Sequence, residues 1–277
     1  MNINCNGTLI DLSSPKIMGI LNITPNSFFD GGKFNSLDAA LAQTEKMLSE
    51  GATFIDVGGA SSKPGVDEIS VDEELSRVLP VIEKIATVFP QAIVSIDTYR
   101  SEVAQIAIAA GAQIVNDISA GNMDNNMLKT VGALGVPYIA MHMQGTPQTM
   151  QNNPSYDDVL TAVRSFFSAK IVEAHAAGIN DIILDPGFGF GKTAQHNFAL
   201  LNHLDSLHIK GLPMLVGVSR KSMIYKTLNI SADAALNGTT VLNTIALRQG
   251  VQLLRVHDVK EAHEAIRLVE ALIHPNQ

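Results

Sequence analysis

The chain has 277 residues, 46% hydrophobic and 17% charged, which is ample for one buried core, and nothing in it marks a linker or tail, so residues 1–277 form a single expected domain. A net charge of −8 argues against nucleic acid or an anionic membrane as the main partner. The lone Cys5 excludes an internal disulfide framework, and no Cys/His spacing resembles a structural zinc site.

The first residues, MNINCNGTLIDLSS, lack the basic start and apolar core of a secretory signal, and no run approaches a membrane span, so a cytoplasmic location is expected. Asn6-Gly7 between short alternating runs predicts a tight β-hairpin, a two-stranded plug ahead of the main fold. Apolar runs rich in β-branched residues follow at 17–23, 53–57, 92–96, 113–115, 136–141, 181–184, 213–218 and 251–256. Each is continuous enough for a strand covered on both faces, and each precedes a helix-period stretch. The pattern predicts a (β/α)₈ TIM barrel, in which catalytic groups sit at the carboxyl ends of the strands. Those ends deliver Asn22, the Gly58-Gly59 pair, Asp97, Asn116 with Asp117, His142, Asp185, Ser219 with Lys221, and Arg255 with His257. Two connections are long: TPNSFFDGGKFN after the first strand and GGASSKPGVDEI after the second. Phe28, Phe29, Lys63 and Pro64 favour a binding role for them over idle solvated loops. Ser70 and Glu73 then predict a capping box.

Asp97, Asp185 and Asn116 would converge near the barrel axis, offering acceptors and one amide to a flat heterocycle with several N–H donors. Singly, each is better read as a turn or helix-cap residue, the role assigned to Asp117 and Asn152; three such groups at successive strand ends argue against coincidence. Lys221, Arg255, His257 and Lys63 make a cationic group suited to a phosphate or pyrophosphate; salt bridges to Asp258, Glu261 or nearby carboxylates are the alternative. Asn22 is either a neutral Mg²⁺ ligand, where substrate phosphates supply the rest, or a turn former. The stretch from Gly187 to Thr193 imitates a phosphate-binding loop, but Pro186 stands where the Walker spacing demands Gly and the dinucleotide fingerprint fails too. The glycines instead let backbone lie close to a flat ligand, with Phe190 as an aromatic wall. Ser219-Arg220-Lys221-Ser222 runs from a strand into a helix, leaving amides near Ser222 for an anion such as a carboxylate, or for ordinary capping by Ser219.

These segments resemble the dihydropteroate synthase family of pterin-binding barrels. The marks are MGILNITPNSFFDGG from Met18, GATFIDVGGASSKPG from Gly51, SIDT from Ser95, VNDI from Val115, MHMQGTPQTMQ from Met141, ILDPGFGFGK from Ile183, LVGVSRKSMI from Leu215 and RVHDVKE from Arg255. The resemblance implies Mg²⁺-assisted condensation of 6-hydroxymethyl-7,8-dihydropterin pyrophosphate with p-aminobenzoate, sulfonamides as inhibitors, and a homodimer. It implies that Asp97, Asn116, Asp185 and Lys221 hold the pterin, packed by Ile118, Met141 and Arg255. Asn22, Lys63, Arg255 and His257 would hold pyrophosphate, with Asn22 also on the metal. Phe28, Ser62, Lys63, Pro64, Phe190, Ser219, Lys221 and Ser222 would form the p-aminobenzoate pocket, and Asp30 would order the first loop. The chain departs from the family's usual GGESTRPG at Ala60, Ser62 and Lys63, and from its usual Asp at Asn26. Lys keeps the charge of Arg and loses its planar fork, so an altered p-aminobenzoate side is expected with the pterin side intact.

Two other functions compete. A corrinoid-linked methyltetrahydrofolate methyltransferase could share Asp97, Asn116 and Asp185 but has no use for the anion site. A pterin-binding paralogue with impaired turnover is suggested by the altered second loop. A Schiff-base aldolase is disfavoured, because Lys221 follows a strand end and does not lie inside an apolar strand.

Overall fold

A computed structural model describes residues 1–23, 33–61, 65 and 67–274. Strands β1 (Asn2–Cys5) and β2 (Thr8–Asp11) pair antiparallel as the expected hairpin. Its turn has φ of 50° at Asn6 and 88° at Gly7. Positive φ at both central residues is what a two-residue hairpin needs to match strand twist, and Asn-Gly supplies it cheaply.

The barrel strands are β3 (Lys16–Asn22), β4 (Phe54–Gly58), β5 (Ile93–Asp97), β6 (Ile114–Asp117), β7 (Tyr138–Met141), β8 (Ile182–Asp185), β9 (Leu215–Val216) and β10 (Leu253–Val256). They run parallel in the order β8-β7-β6-β5-β4-β3-β10-β9. A parallel bridge from Leu184 to Met214 joins the two outer strands and closes the ring. The helices are α1 (Lys33–Ser49), α2 (Val71–Val88), α3 (Ser101–Ala109), α4 (Met127–Leu134), α5 (Val159–Ala176), α6 (Ala194–Asn202), α7 (Ser222–Leu228), α8 (Leu236–Arg248) and α9 (Val259–Ile273). Two of them, α7 and α8, lie between β9 and β10; every earlier barrel strand is followed by one.

Alternation along each strand divides the apolar residues into two cores. Ile17, Leu21, Ile55, Val57, Val94, Ile96, Val115, Tyr138 and Leu254 belong to the large cluster that includes the helices. Met18, Phe54, Ile93, Ile114, Ile139, Ile183, Leu215 and Leu253 point the other way and form a separate cluster with Ile3, Cys5 and Leu12 of the hairpin segment. The hairpin therefore stoppers the amino-terminal end of the barrel. Cys5 is fully buried there, and burial together with Asp181 pushes its thiol up to about 12, so it is inert.

The expected capping box at α2 is half made. Ser70 accepts from the Glu73 amide at 3.1 Å, whereas the Glu73 carboxylate pairs with Arg77 one turn on in place of returning to Ser70. Among the described residues no helix is long and apolar enough to cross a membrane.

Candidate active site

Two residues beyond the apolar ring, the inward positions turn polar. Phe54 is followed on its face by Asp56, Ile93 by Ser95, Ile114 by Asn116, Ile183 by Asp185 and Leu253 by Arg255. One step further lie Asn22, Gly58 and Asp97. Register carries a row across four strands, with Asn22 opposite Gly58, Gly58 opposite Asp97 and Asp97 opposite Asn116. A Cβ on Gly58 would sit 3.6 Å from both Asn22 Oδ1 and Asp97 Oδ2, so those two oxygens flank the gap in front of Gly58.

The polar layer is bound together by charge. Arg255 donates through Nε to Asp56 at 2.7 Å and through a terminal nitrogen to Asp97 at 2.6 Å, and Asn116 donates to the same Asp56 oxygen at 2.8 Å. Asp56 is wholly buried; its second oxygen and the hydroxyl of Ser95, opposite it in register, have no hydrogen-bond partner among the described residues. Asp185 accepts from the Gly187 amide at 2.7 Å. Lys221 donates to the Phe188 carbonyl, and its ammonium lies 4.7 Å from the centre of the Phe190 ring. Burial raises the Asp97 and Asp185 carboxyls, opposed by Arg255 and Lys221 respectively. Burial likewise lowers Lys221 to about 8, against the pull of Asp185. Arg255 stays charged, its pKa raised because Asp56 and Asp97 outweigh its desolvation.

The members of the expected anion site are partly engaged within the protein. Arg255 is not a free cation, because two carboxylates already hold it. His257 is no cation at neutral pH: burial and the neighbouring Arg255 depress it to about 4, and its Nδ1 lies 3.1 Å from the Ser219 hydroxyl. The salt bridge to Asp258 exists, but Arg220 makes it, at 2.6 Å. Lys221 is the remaining cation of that group within the described residues. Ser222 opens α7, with Lys221 as the preceding residue and no side-chain cap, so Ser219 does not cap this helix. Phe28, Asp30, Ser62, Lys63 and Pro64 lie outside the described residues.

Ile118 and Met141 form a small apolar cluster with Met143 and Met150, edged by Tyr99, Met123 and Phe190. Ile118 and Tyr99 line a cavity together with Asp97, which sets this wall beside the polar layer and suits it to the flat face of a ring. Asp117 takes the structural role expected of it, accepting from Ser119, Gly121 and the Tyr138 hydroxyl.

Sequence reasoning missed Asp56, Ser95 and Lys192. A charged residue in the middle of a buried apolar run was the available signal for Asp56. Lys192 belongs to the motif that imitates a phosphate loop, yet its ammonium turns inward, 2.9 Å from His142 Nδ1 and from the Gly187 carbonyl.

A closed parallel barrel holding buried carboxylates beside an apolar wall, at the carboxyl ends of its strands, is the architecture of a pterin-binding enzyme. Residues 18–257 match the pterin binding enzyme family model, and the chain belongs to that family. Within it, the chain falls among the dihydropteroate synthases. It is 47% identical over 275 residues to the dihydropteroate synthase of Escherichia coli (strain K12), covering 99% of this chain and 97% of that one. It superposes on the Yersinia pestis dihydropteroate synthase in complex with a sulfonamide drug with a TM-score of 0.93 at 47% identity, covering 99% of each chain. The Xanthomonas albilineans dihydropteroate synthase in complex with 7,8-dihydropteroate gives a TM-score of 0.89 at 36% identity, again over 99% of each chain.

Proposed function

We propose that the chain catalyses the dihydropteroate synthase reaction of folate biosynthesis. The C–O bond to pyrophosphate in 6-hydroxymethyl-7,8-dihydropterin pyrophosphate breaks, a C–N bond forms to the amine of p-aminobenzoate, and the amine gives up a proton to solvent or pyrophosphate. The observation that carries this reading is the layer of Asp56, Asp97, Asn116 and Asp185 beside the Ile118–Met141 wall. Buried acceptors without partners at Asp56 and Ser95 suit a heterocycle rich in N–H groups. Three carboxyl groups against the two cations Arg255 and Lys221 bias the cup toward negative charge as the raised Asp97 and Asp185 ionise. That bias favours the delocalised cation formed as pyrophosphate departs.

Lys221 and the N–H groups of Arg255 and His257 would meet the leaving group, with His257 acting as a neutral donor. The aryl amine is a competent nucleophile while neutral, so the site needs no strong general base. Phe190, Ser219 and Ser222 would bound p-aminobenzoate, with Lys221 at its edge and Phe28, Ser62, Lys63 and Pro64 completing the pocket; Asp30 would order the first loop. The Asn22 oxygen beside the Gly58 gap, next to Asp97, fits Mg²⁺, which accepts hard oxygen donors and needs few of them from protein. When bound, the metal would neutralise the departing pyrophosphate. Val241 and Ile245 on α8 and Leu268 and Leu272 on the adjoining α9 are exposed, which supports a homodimer through these outer helices.

The test is pyrophosphate release. Release that requires both the pterin pyrophosphate and p-aminobenzoate supports the synthase. Pterin binding with no release in the presence of Mg²⁺ would assign the impaired paralogue instead. Methyl transfer from methyltetrahydrofolate to a corrinoid would assign the methyltransferase, which full-length likeness to the synthases does not favour.

A further inference from the structure

The glycine-rich stretch after β8 is held from inside by a single side chain. Lys192 is 3% exposed. Its ammonium lies within hydrogen-bonding distance of four acceptors: His142 Nδ1 at 2.9 Å, the Gly187 carbonyl at 2.9 Å, the Phe190 carbonyl at 3.1 Å and the His142 carbonyl at 3.2 Å. Burial lowers Lys192 to about 7, against the pull of Asp185; in its ammonium form all three protons are engaged and nothing is left to reach a ligand. The His142 imidazole is neutral, depressed by burial and then by Lys192 to about 3, and so remains an acceptor. Backbone packing leaves no slack around this anchor. Gly187 has φ +69° and a Cβ there would lie 1.9 Å from the His142 carbonyl; Gly191 has φ +63° and a Cβ would lie 2.4 Å from the Gln144 carbonyl.

The loop so held touches the reacting groups on both sides. Its Gly187 amide donates to Asp185, its Phe188 carbonyl accepts from Lys221, and its Phe190 ring lies under the Lys221 ammonium. We propose that Lys192 is the positioning residue of the site, tying residues 187–190 to the end of β7 and thereby setting where Lys221 and Asp185 stand. The role is one step removed from the substrates, since Lys192 itself is enclosed. It rests on the synthase reading for its assay and on the contacts above for its argument.

The experiment is steady-state turnover with both substrates, first for the wild type and then for Lys192→Met, which keeps length and removes the donors. A misplacement near 1 Å at Lys221 predicts a fall in kcat/KM of about 100-fold. A merely structural role would lower the amount of active protein and leave the pH profile alone. Loss of positioning instead releases Lys221 from its enclosure among Asp185, Asp97, Arg255 and the Phe190 ring. The alkaline limb of kcat/KM, read on His142→Leu because Lys192→Met also removes a like charge that depresses Lys221, then moves up from about 8 toward the free lysine value of about 10.4. If Lys192→Met does not fold, the pair His142→Leu and His142→Asn decides, because the Asn side-chain oxygen can replace Nδ1 as acceptor. Leu should cost about 10-fold in kcat/KM and Asn should recover most of it. Lys192→Met within about 3-fold of wild type overturns the inference, as does a fall with an unmoved alkaline limb, or equal kinetics for the two His142 variants. A wild type without turnover overturns the synthase reading and not this one.

Discussion

The two ends of the barrel are made by the same strands with the same alternation, and they differ in what occupies the inward positions. At the amino-terminal end, Met18, Phe54, Ile93, Ile114, Ile139, Ile183, Leu215 and Leu253 close on the hairpin residues Ile3, Cys5 and Leu12. Two residues along, Asp56, Ser95, Asn116, Asp185 and Arg255 take the same direction. The apolar ring tolerates no unpaired group. The polar layer above holds two, at Asp56 and Ser95, together with carboxyl groups whose pKa values burial has raised. A dry floor lowers the effective dielectric of the layer above it, so each charge there acts more strongly on a ligand than it would in water.

The sharpest way to break this comparison is to exchange the effects of one residue from each layer. Asp185→Asn should lower kcat/KM by about 1,000-fold while the protein stays folded. Phe54→Ala should remove about 3–5 kcal/mol of stability while turnover at low temperature is nearly kept. Thermal melts and initial rates on both variants check the pair, and a Phe54→Ala protein that is stable but inactive would deny the division of labour. Asp56→Ala should do some of both. It strips Arg255 of one partner, leaves Asn116 without its acceptor, and should cost about 3 kcal/mol in a denaturant titration, with a fall in pterin pyrophosphate affinity.

A smaller effect follows from pH. Burial lowers Lys221 to about 8, so its ammonium is present below that value and is lost as pH rises through it. KM for pterin pyrophosphate should therefore rise between pH 7 and 9, and Lys221→Arg, charged throughout, should flatten that rise even if its turnover is poor. Smallest is the change at the second loop. Lys63→Arg with Ser62→Thr should alter KM for p-aminobenzoate by a few-fold and leave pterin pyrophosphate binding unchanged in calorimetry, since only a planar fork is regained.

Much of the barrel was legible because strands covered on both faces must be apolar nearly throughout, and each run stops where its polar end begins. Asp97, Asn116 and Asp185 were visible at such ends. Asp56 was not, because a doubly buried run does not disclose which of its faces is the inner one. Its partner Arg255 lies 199 residues away, and only ring closure brings them within reach. For the same reason the cationic group looked freer in sequence than it is: charges can be counted along a chain, but the carboxylates that neutralise Arg255 and the burial that discharges His257 belong to the fold. The Met143–Met150 part of the apolar wall lies in a connection with no periodicity to point at it.

The ring is not equally firm around its circumference. Strand β4 is registered to β3 and to β5 through five residue pairs each, whereas among the described residues β8 is joined toward the two-residue β9 by the single bridge from Leu184 to Met214. That seam separates Asp185 on one lip from Ser219 and Lys221 on the other. In deuterium exchange, amide protons at Leu184 and Val216 should be released earlier than those of β4, so any breathing of the cylinder widens or narrows the ligand cup along its Asp185–Lys221 diameter.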